Sequence, residues 1–165
     1  MKKLYLVGGT MGVGKTTVCQ RLKKKLANAV FLDGDWCWDA DPFQVTEETK
    51  KMVTENICFL LNNFLRTTAY ENIIFCWVMH EQAIIDSILQ NLNTENIQTI
   101  IVSLTADSET LRERLLKDIR LGARKEDIIK RSTERLPLYN ALNTIKIDTS
   151  GKTPDEIAEE IIGIG

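Results

Sequence analysis

The segment Gly9-Thr10-Met11-Gly12-Val13-Gly14-Lys15-Thr16 constrains this chain more than any other part of it. It follows an apolar run, Leu4 to Val7, and precedes a stretch from Lys15 to Leu26 in which Val18, Leu22 and Leu26 fall on one helical face. GxxxxGK[ST] between a strand and a helix is a phosphate-binding loop. Its glycines let successive backbone N–H groups turn inward onto phosphate oxygens, and the positive end of the following helix adds to their field. Lys15 then reaches the β- and γ-phosphates and Thr16 ligates Mg²⁺. The expected cofactor-binding set is Gly9, Gly12, Val13, Gly14, Lys15, Thr16 and Thr17. A dinucleotide fingerprint fits worse, because a lysine stands where the backbone must approach a pyrophosphate.

Further apolar runs, Ala29–Leu32, Ile73–Val78, Thr99–Leu104 and Ile145–Ile147, alternate with helical patterns. Runs without polar alternation suit strands covered on both faces, hence a parallel sheet. Glu47 to Leu65 carries Met52, Ile57, Leu60, Leu61 and Phe64, and Glu81 to Leu92 carries Ile84, Ile85, Ile88 and Leu92. Asp107 is the expected N-cap of the helix bearing Leu111, Leu115 and Leu116, and Thr153-Pro154-Asp155-Glu156 reads as a capping box. The alternation predicts a doubly wound, three-layer α/β fold within a single domain spanning 1–165.

Composition removes several classes. A formal net charge of -2 offers no footprint for a nucleic-acid backbone. No apolar run reaches the roughly 18 residues of a membrane span, and the start of the chain does not read as a signal peptide, so a cytoplasmic location without membrane partners is expected. The 4 cysteines form no CxxC pair and are read as reduced structural thiols.

The second apolar run ends Phe31-Leu32-Asp33-Gly34-Asp35-Trp36, which sets two acids beside the phosphate loop. Strand alternation points Asp33 and Asp35 the same way, Asp33 toward the metal and Asp35 one step farther out, where it can take the proton of an attacking hydroxyl. The alternative for Asp35 is an ordinary Asp-Gly turn. Between two helical patterns lies Asp118 to Lys125, a glycine-centred segment with Arg120 and Arg124, expected to act as a short lid over about 118–126. Arg124 is the first choice for phosphate contact and Arg120 the second; either can instead be surface charge. Arg131 precedes Arg135 by one helical turn and is read as facing the same way, whereas Arg21 to Lys25 reads as a solvated face.

With its DxD and phosphate loop, the chain resembles the small P-loop kinases of the shikimate kinase, gluconate kinase and antibiotic phosphotransferase group. Glu134-Arg135-Leu136-Pro137-Leu138-Tyr139 is similar to the ER-x-PLY segment of shikimate kinases, which implies that Arg135 contacts the acceptor and the transferring phosphate. The resemblance further implies strand order 2-3-1-4-5, a mobile lid, ATP as donor, and adenine contacts from Ser150, Gly151 and Lys152. The third strand runs Phe75-Cys76-Trp77-Val78-Met79-His80 without the glycine-rich turn of shikimate kinases, which argues against shikimate itself.

The expected activity is transfer of the γ-phosphate of ATP, with Mg²⁺, to a hydroxyl of a small molecule by a monomer or weak dimer. Lys15, Asp35, Arg124 and Arg135 form the catalytic set. Asp35, Trp36, Trp38, His80 and Arg135 are the acceptor candidates, and Thr16 and Asp33 the metal candidates. Trp36 and Trp38 have core packing as their alternative, and His80 a helix cap. A nucleotide-dependent switch module without an acceptor is the competing function.

Overall fold

The five apolar runs form one parallel sheet in the computed structural model, which describes residues 1–165. At its centre β1 (Lys3–Gly9) pairs with β3 (Asn72–Trp77) on one side and β4 (Gln98–Thr105) on the other. β2 (Ala29–Asp33) and β5 (Ile145–Asp148) are the edges, which completes the order 2-3-1-4-5 that the resemblance implied.

Period-2 geometry explains why the inner strands are apolar throughout. Tyr5 and Val7 of β1, with Ile74 and Cys76 of β3, enter one core, while Leu4, Leu6, Ile73 and Phe75 enter the other. The first core is closed by α1 (Lys15–Lys25), α4 (Ser108–Arg120) and α6 (Pro154–Ile164), the second by α2 (Glu47–Arg66) and α3 (Gln82–Gln90). Each fully buried Leu or Ile contributes about 1.5–3 kcal/mol relative to exposure. No helix is long and apolar enough to cross a membrane. The four cysteines are free, and Cys19, Cys58 and Cys76 pack in these cores.

Capping follows the sequence at both marked sites. Asp107 accepts the Thr110 N–H, and Thr153 and Glu156 form the reciprocal box ahead of α6. Two expectations shift. α2 turns Val53, Ile57, Leu61 and Leu65 inward, leaving Met52 41% exposed, because the i, i+4, i+8 row from Val53 meets the sheet. In the cationic run of α1, Arg21 and Lys25 face Asp155 and Glu159 of α6 within ion-pair distance, so only part of that run is a free solvated face.

Candidate active site

The phosphate loop leaves β1 and reaches α1 through residues in the left-handed region, Gly12 at φ 82° and Gly14 at φ 105°. A Cβ on Gly12 would lie 2.5 Å from Leu115 of α4, so that helix packs directly onto the loop. Gly14 caps α1 without a side chain, and no acid stands in the first turn. The orphan N–H groups of α1 therefore keep their affinity for an anion. Lys15 Nζ donates to Thr10 O at 3.0 Å; burial lowers its pKa, while the nearby Asp35 and Asp33 carboxylates act in the opposite direction.

Asp33, buried at the end of β2, accepts from Thr16 Oγ1 at 2.7 Å through one oxygen and from the Asp35 N–H at 3.0 Å through the other. Thr16 and Asp33, the two metal candidates, thus present adjacent oxygens. Asp35 owes its place to a different device from the one expected. The strand stops at Asp33, and a 3-10 turn over Gly34–Cys37, capped by the Asp33 carboxylate, carries Asp35 to the cleft. Trp77, at the end of β3, closes this turn from below: a Cβ on Gly34 would meet its indole at 2.5 Å. Although Asp35 stays open to solvent on one side, loss of hydration and then the Asp33 charge raise its carboxyl pKa. Lys15, a hydrogen bond from Trp77, and Arg124 oppose that rise.

These groups line one cleft of about 510 Å³, together with Gly12, Gly14, Thr17, Arg114, Lys117, Asp118 and Arg124. Arg124 donates from Nε to Asp118 Oδ2 at 3.0 Å across the turn that follows α4, which holds it at the cleft edge. The segment expected as a lid over 118–126 is a turn over 121–127 around Gly122 (φ 72°), because α4 runs on through Arg120 before α5 (Ile128–Arg135) begins. That extension explains why Arg120 is exposed and absent from the cleft wall. Arg114, Lys117, Asp118 and Leu121 follow the i, i+3, i+4, i+7 row that faces the cleft, and Arg120 falls off it.

Other candidates separate in the same way. Ser150 accepts the Asp107 N–H at 2.9 Å, Lys152 pairs with Glu160 at 2.7 Å, and Gly151 is a turn residue at φ 70°; none lines the cleft. The segment still reaches the nucleotide side through Thr149, which holds Arg114. That guanidinium donates to Thr149 Oγ1 at 2.8 Å, Thr149 O at 3.1 Å and Val13 O at 3.1 Å, bracing the loop after β5 against the phosphate loop. Val13 serves through this carbonyl, with its side chain in the core. Gly9 lies beneath the loop, where an added Cβ would meet Val13 at 2.7 Å.

Among the acceptor candidates Trp36 is 59% exposed, edge-on to Phe31, outside the cleft wall. Trp38 packs against the second core, with Phe43 edge-on at 4.6 Å. The core alternative therefore describes Trp38, and solvent exposure describes Trp36. Arg131, one turn before Arg135 on the same face of α5, is exposed and pairs with Asp127 at 3.5 Å, so its guanidinium is engaged outside the cleft. Arg135 neighbours His80 and Tyr139 outside the nucleotide cleft. Burial and then Arg135 lower the His80 pKa, and burial raises the Tyr139 phenol. His80 Nδ1 and the Tyr139 hydroxyl are buried without hydrogen-bond partners.

Sequence reading missed Arg114, Trp77 and the Tyr139 hydroxyl. Arg114 was findable, three residues before Lys117 on the row that includes Leu121. Trp77 was not, because only the β2–β3 register sets it beneath Gly34.

A family model described as an AAA domain (AAA_18) matches residues 6–135, from β1 through the phosphate loop and DxD to Arg135. The chain belongs to this family. The AAA_18 chain is 28% identical over 184 residues to a shikimate kinase from Streptococcus gordonii, covering 98% of both. It is 24% identical over 168 residues to a protein of Pyrococcus furiosus named "Putative adenylate kinase", covering 98% of this chain and 83% of the relative. Its fold matches a gluconokinase from Sinorhizobium meliloti 1021 with a TM-score of 0.72 at 17% identity, covering 98% of this chain and 90% of the other. The AAA_18 chain is thus a member of the small P-loop kinases, surrounded by kinases that differ in the acceptor their names specify.

Proposed function

We propose that this protein transfers the γ-phosphate of ATP to a hydroxyl of a small molecule. The observation that carries the reading is the hydrogen-bonded series Thr16–Asp33–Asp35, which sets a carboxylate beside the phosphate loop and Lys15 in one cleft. A carboxylate held at that point can accept the proton of an attacking hydroxyl. The left-handed glycines, the uncapped start of α1 and the paired Thr16 and Asp33 oxygens fit a nucleotide with Mg²⁺. Bound there by Thr16 and Asp33, Mg²⁺ supplies charge neutralisation at the phosphate oxygens.

Loop N–H groups and the α1 terminus cradle the phosphates, while Lys15 exchanges its bond to Thr10 O for phosphate oxygens. Arg114 walls the base side, and Arg124 adds positive charge as the lid closes and water leaves. Asp35 accepts the proton as the acceptor oxygen bonds to phosphorus; the bond from phosphorus to the bridging oxygen breaks, and ADP departs with that electron pair. Arg135 and His80 offer polar groups for holding the acceptor beyond the end of β3.

The test is a thermal-shift screen of hydroxylated metabolites, nucleoside monophosphates, sugars and antibiotics, with Mg²⁺ and a nonhydrolysable ATP analogue, followed by Asp35→Asn on any acceptor found. The variant should bind the analogue normally and lose transfer by about 10²–10⁴-fold. Unchanged transfer refutes Asp35 as the base. A screen in which no acceptor adds stability beyond the analogue alone favours the switch.

A further inference from the structure

Behind the phosphate loop, two hydroxyls join it to α5. Thr10 Oγ1 donates to Ser132 O at 2.9 Å, and Ser132 Oγ donates to Met11 O at 2.5 Å, the two hydroxyl oxygens lying 2.9 Å apart. Thr10 is 0% and Ser132 1% exposed. Their setting is apolar: Val13, Leu111 and Ile128 belong to the first core, and Met11 and Leu136 pack on it. Valine and alanine would suit such a setting by volume. Reciprocal hydrogen bonds add direction, which fixes the register of loop and helix more tightly than apolar contact does.

Each end of this clasp leads to a group in the proposed transfer. The Thr10 carbonyl accepts Lys15 Nζ at 3.0 Å. The Ser132 carbonyl also accepts the Leu136 N–H, and so closes the turn from which Arg135 projects. A phosphate that draws Lys15 away from Thr10 therefore acts on a residue whose side chain holds the end of α5.

We propose that Ser132 is a positioning residue: through its pair with Thr10, occupancy of the phosphate loop sets where Arg135 stands on the acceptor side. The proposal rests on the reading of the loop as an ATP site, and the experiment separates the two. Amide hydrogen exchange is measured on the full chain with and without a nonhydrolysable ATP analogue and Mg²⁺. In the wild type the analogue slows exchange about tenfold or more both in 9–17 and in 128–141. In Ser132→Ala the protection of 9–17 persists and that of 128–141 is lost. Wild-type protection of both segments in Ser132→Ala overturns the proposal. Protection of 9–17 alone in the wild type also overturns it, while leaving the nucleotide reading intact; protection of neither removes the nucleotide reading and the proposal together. If Ser132→Ala shows no cooperative melting, Thr10→Val takes its place, judged by loss of protection in 128–141. Thr10→Ser keeps the hydroxyl and should show the wild-type pattern there, and loss of that pattern counts against the clasp.

Discussion

Replacing Tyr139 by phenylalanine should make the protein more stable. Tyr139 is 0% exposed, its hydroxyl has no hydrogen-bond partner, and burial raises its pKa. Tyr139→Phe keeps the ring in the second core, beside residues such as Met79 and Leu142, and removes one oxygen, so no sizeable cavity opens. Leaving a buried hydroxyl unpaired costs about 1–3 kcal/mol in mutational series. Because the phenol tolerates some local adjustment, the expected gain lies in the lower part of that range, about 1–2 kcal/mol. For a chain of this size about 1 kcal/mol moves the melting temperature by roughly 2–4 °C, so calorimetry should show a rise of about 2–8 °C. Urea unfolding should give a higher midpoint with an unchanged slope. If the variant instead loses about 1 kcal/mol or more, the hydroxyl has a partner in the folded protein and the reasoning fails. A stabilising substitution that at the same time weakens acceptor binding would mean that this hydroxyl is retained for function at the expense of stability.

Arg114→Met removes three hydrogen bonds and leaves the Val13 and Thr149 carbonyls short of a donor. At about 1–3 kcal/mol for each of these two orphans the variant should lose roughly 2–6 kcal/mol, and its affinity for ATP should fall about tenfold or more because the loop loses its brace. Wild-type stability by urea unfolding would remove Arg114 from this role. Asp107 is held at about 2 by the Thr110 backbone N–H and then by hydroxyl partners, below its ordinary value of about 3.9. Its folded pKa is the lower one, so its contribution is present above about pH 4 and is lost as pH falls toward 2. Asp107→Asn should therefore flatten the acid limb of melting temperature between those values while leaving neutral stability nearly unchanged; a limb that tracks the wild type contradicts the assignment.

The local parts of the molecule were legible because their signals are local. Glycines with a lysine in fixed order can build only one kind of turn at the end of a strand, and five apolar runs of strand length need cover on both faces. Asp107 and Thr153 announced their helices because a cap acts within four residues. The parts that escaped depend on where a helix stops or on which residues two elements bring together. Arg120 lies off the cleft wall because α4 continues one turn into the expected lid, and the Ser150 hydroxyl and Lys152 ammonium are taken up by Asp107 and Glu160, which no local pattern signals.

By itself the sequence determined the phosphate loop, the DxD beside it and the layered α/β arrangement, each set by contacts between near neighbours or by periodicity along one element. Only the tertiary structure decided that Arg114 braces the loop through Val13 and Thr149, that Trp77 lies under Gly34, and that Ser132 meets Thr10 across 122 positions of chain. Those relations arise from sheet register and helix packing, which juxtapose residues far apart in sequence, so no local pattern announces them.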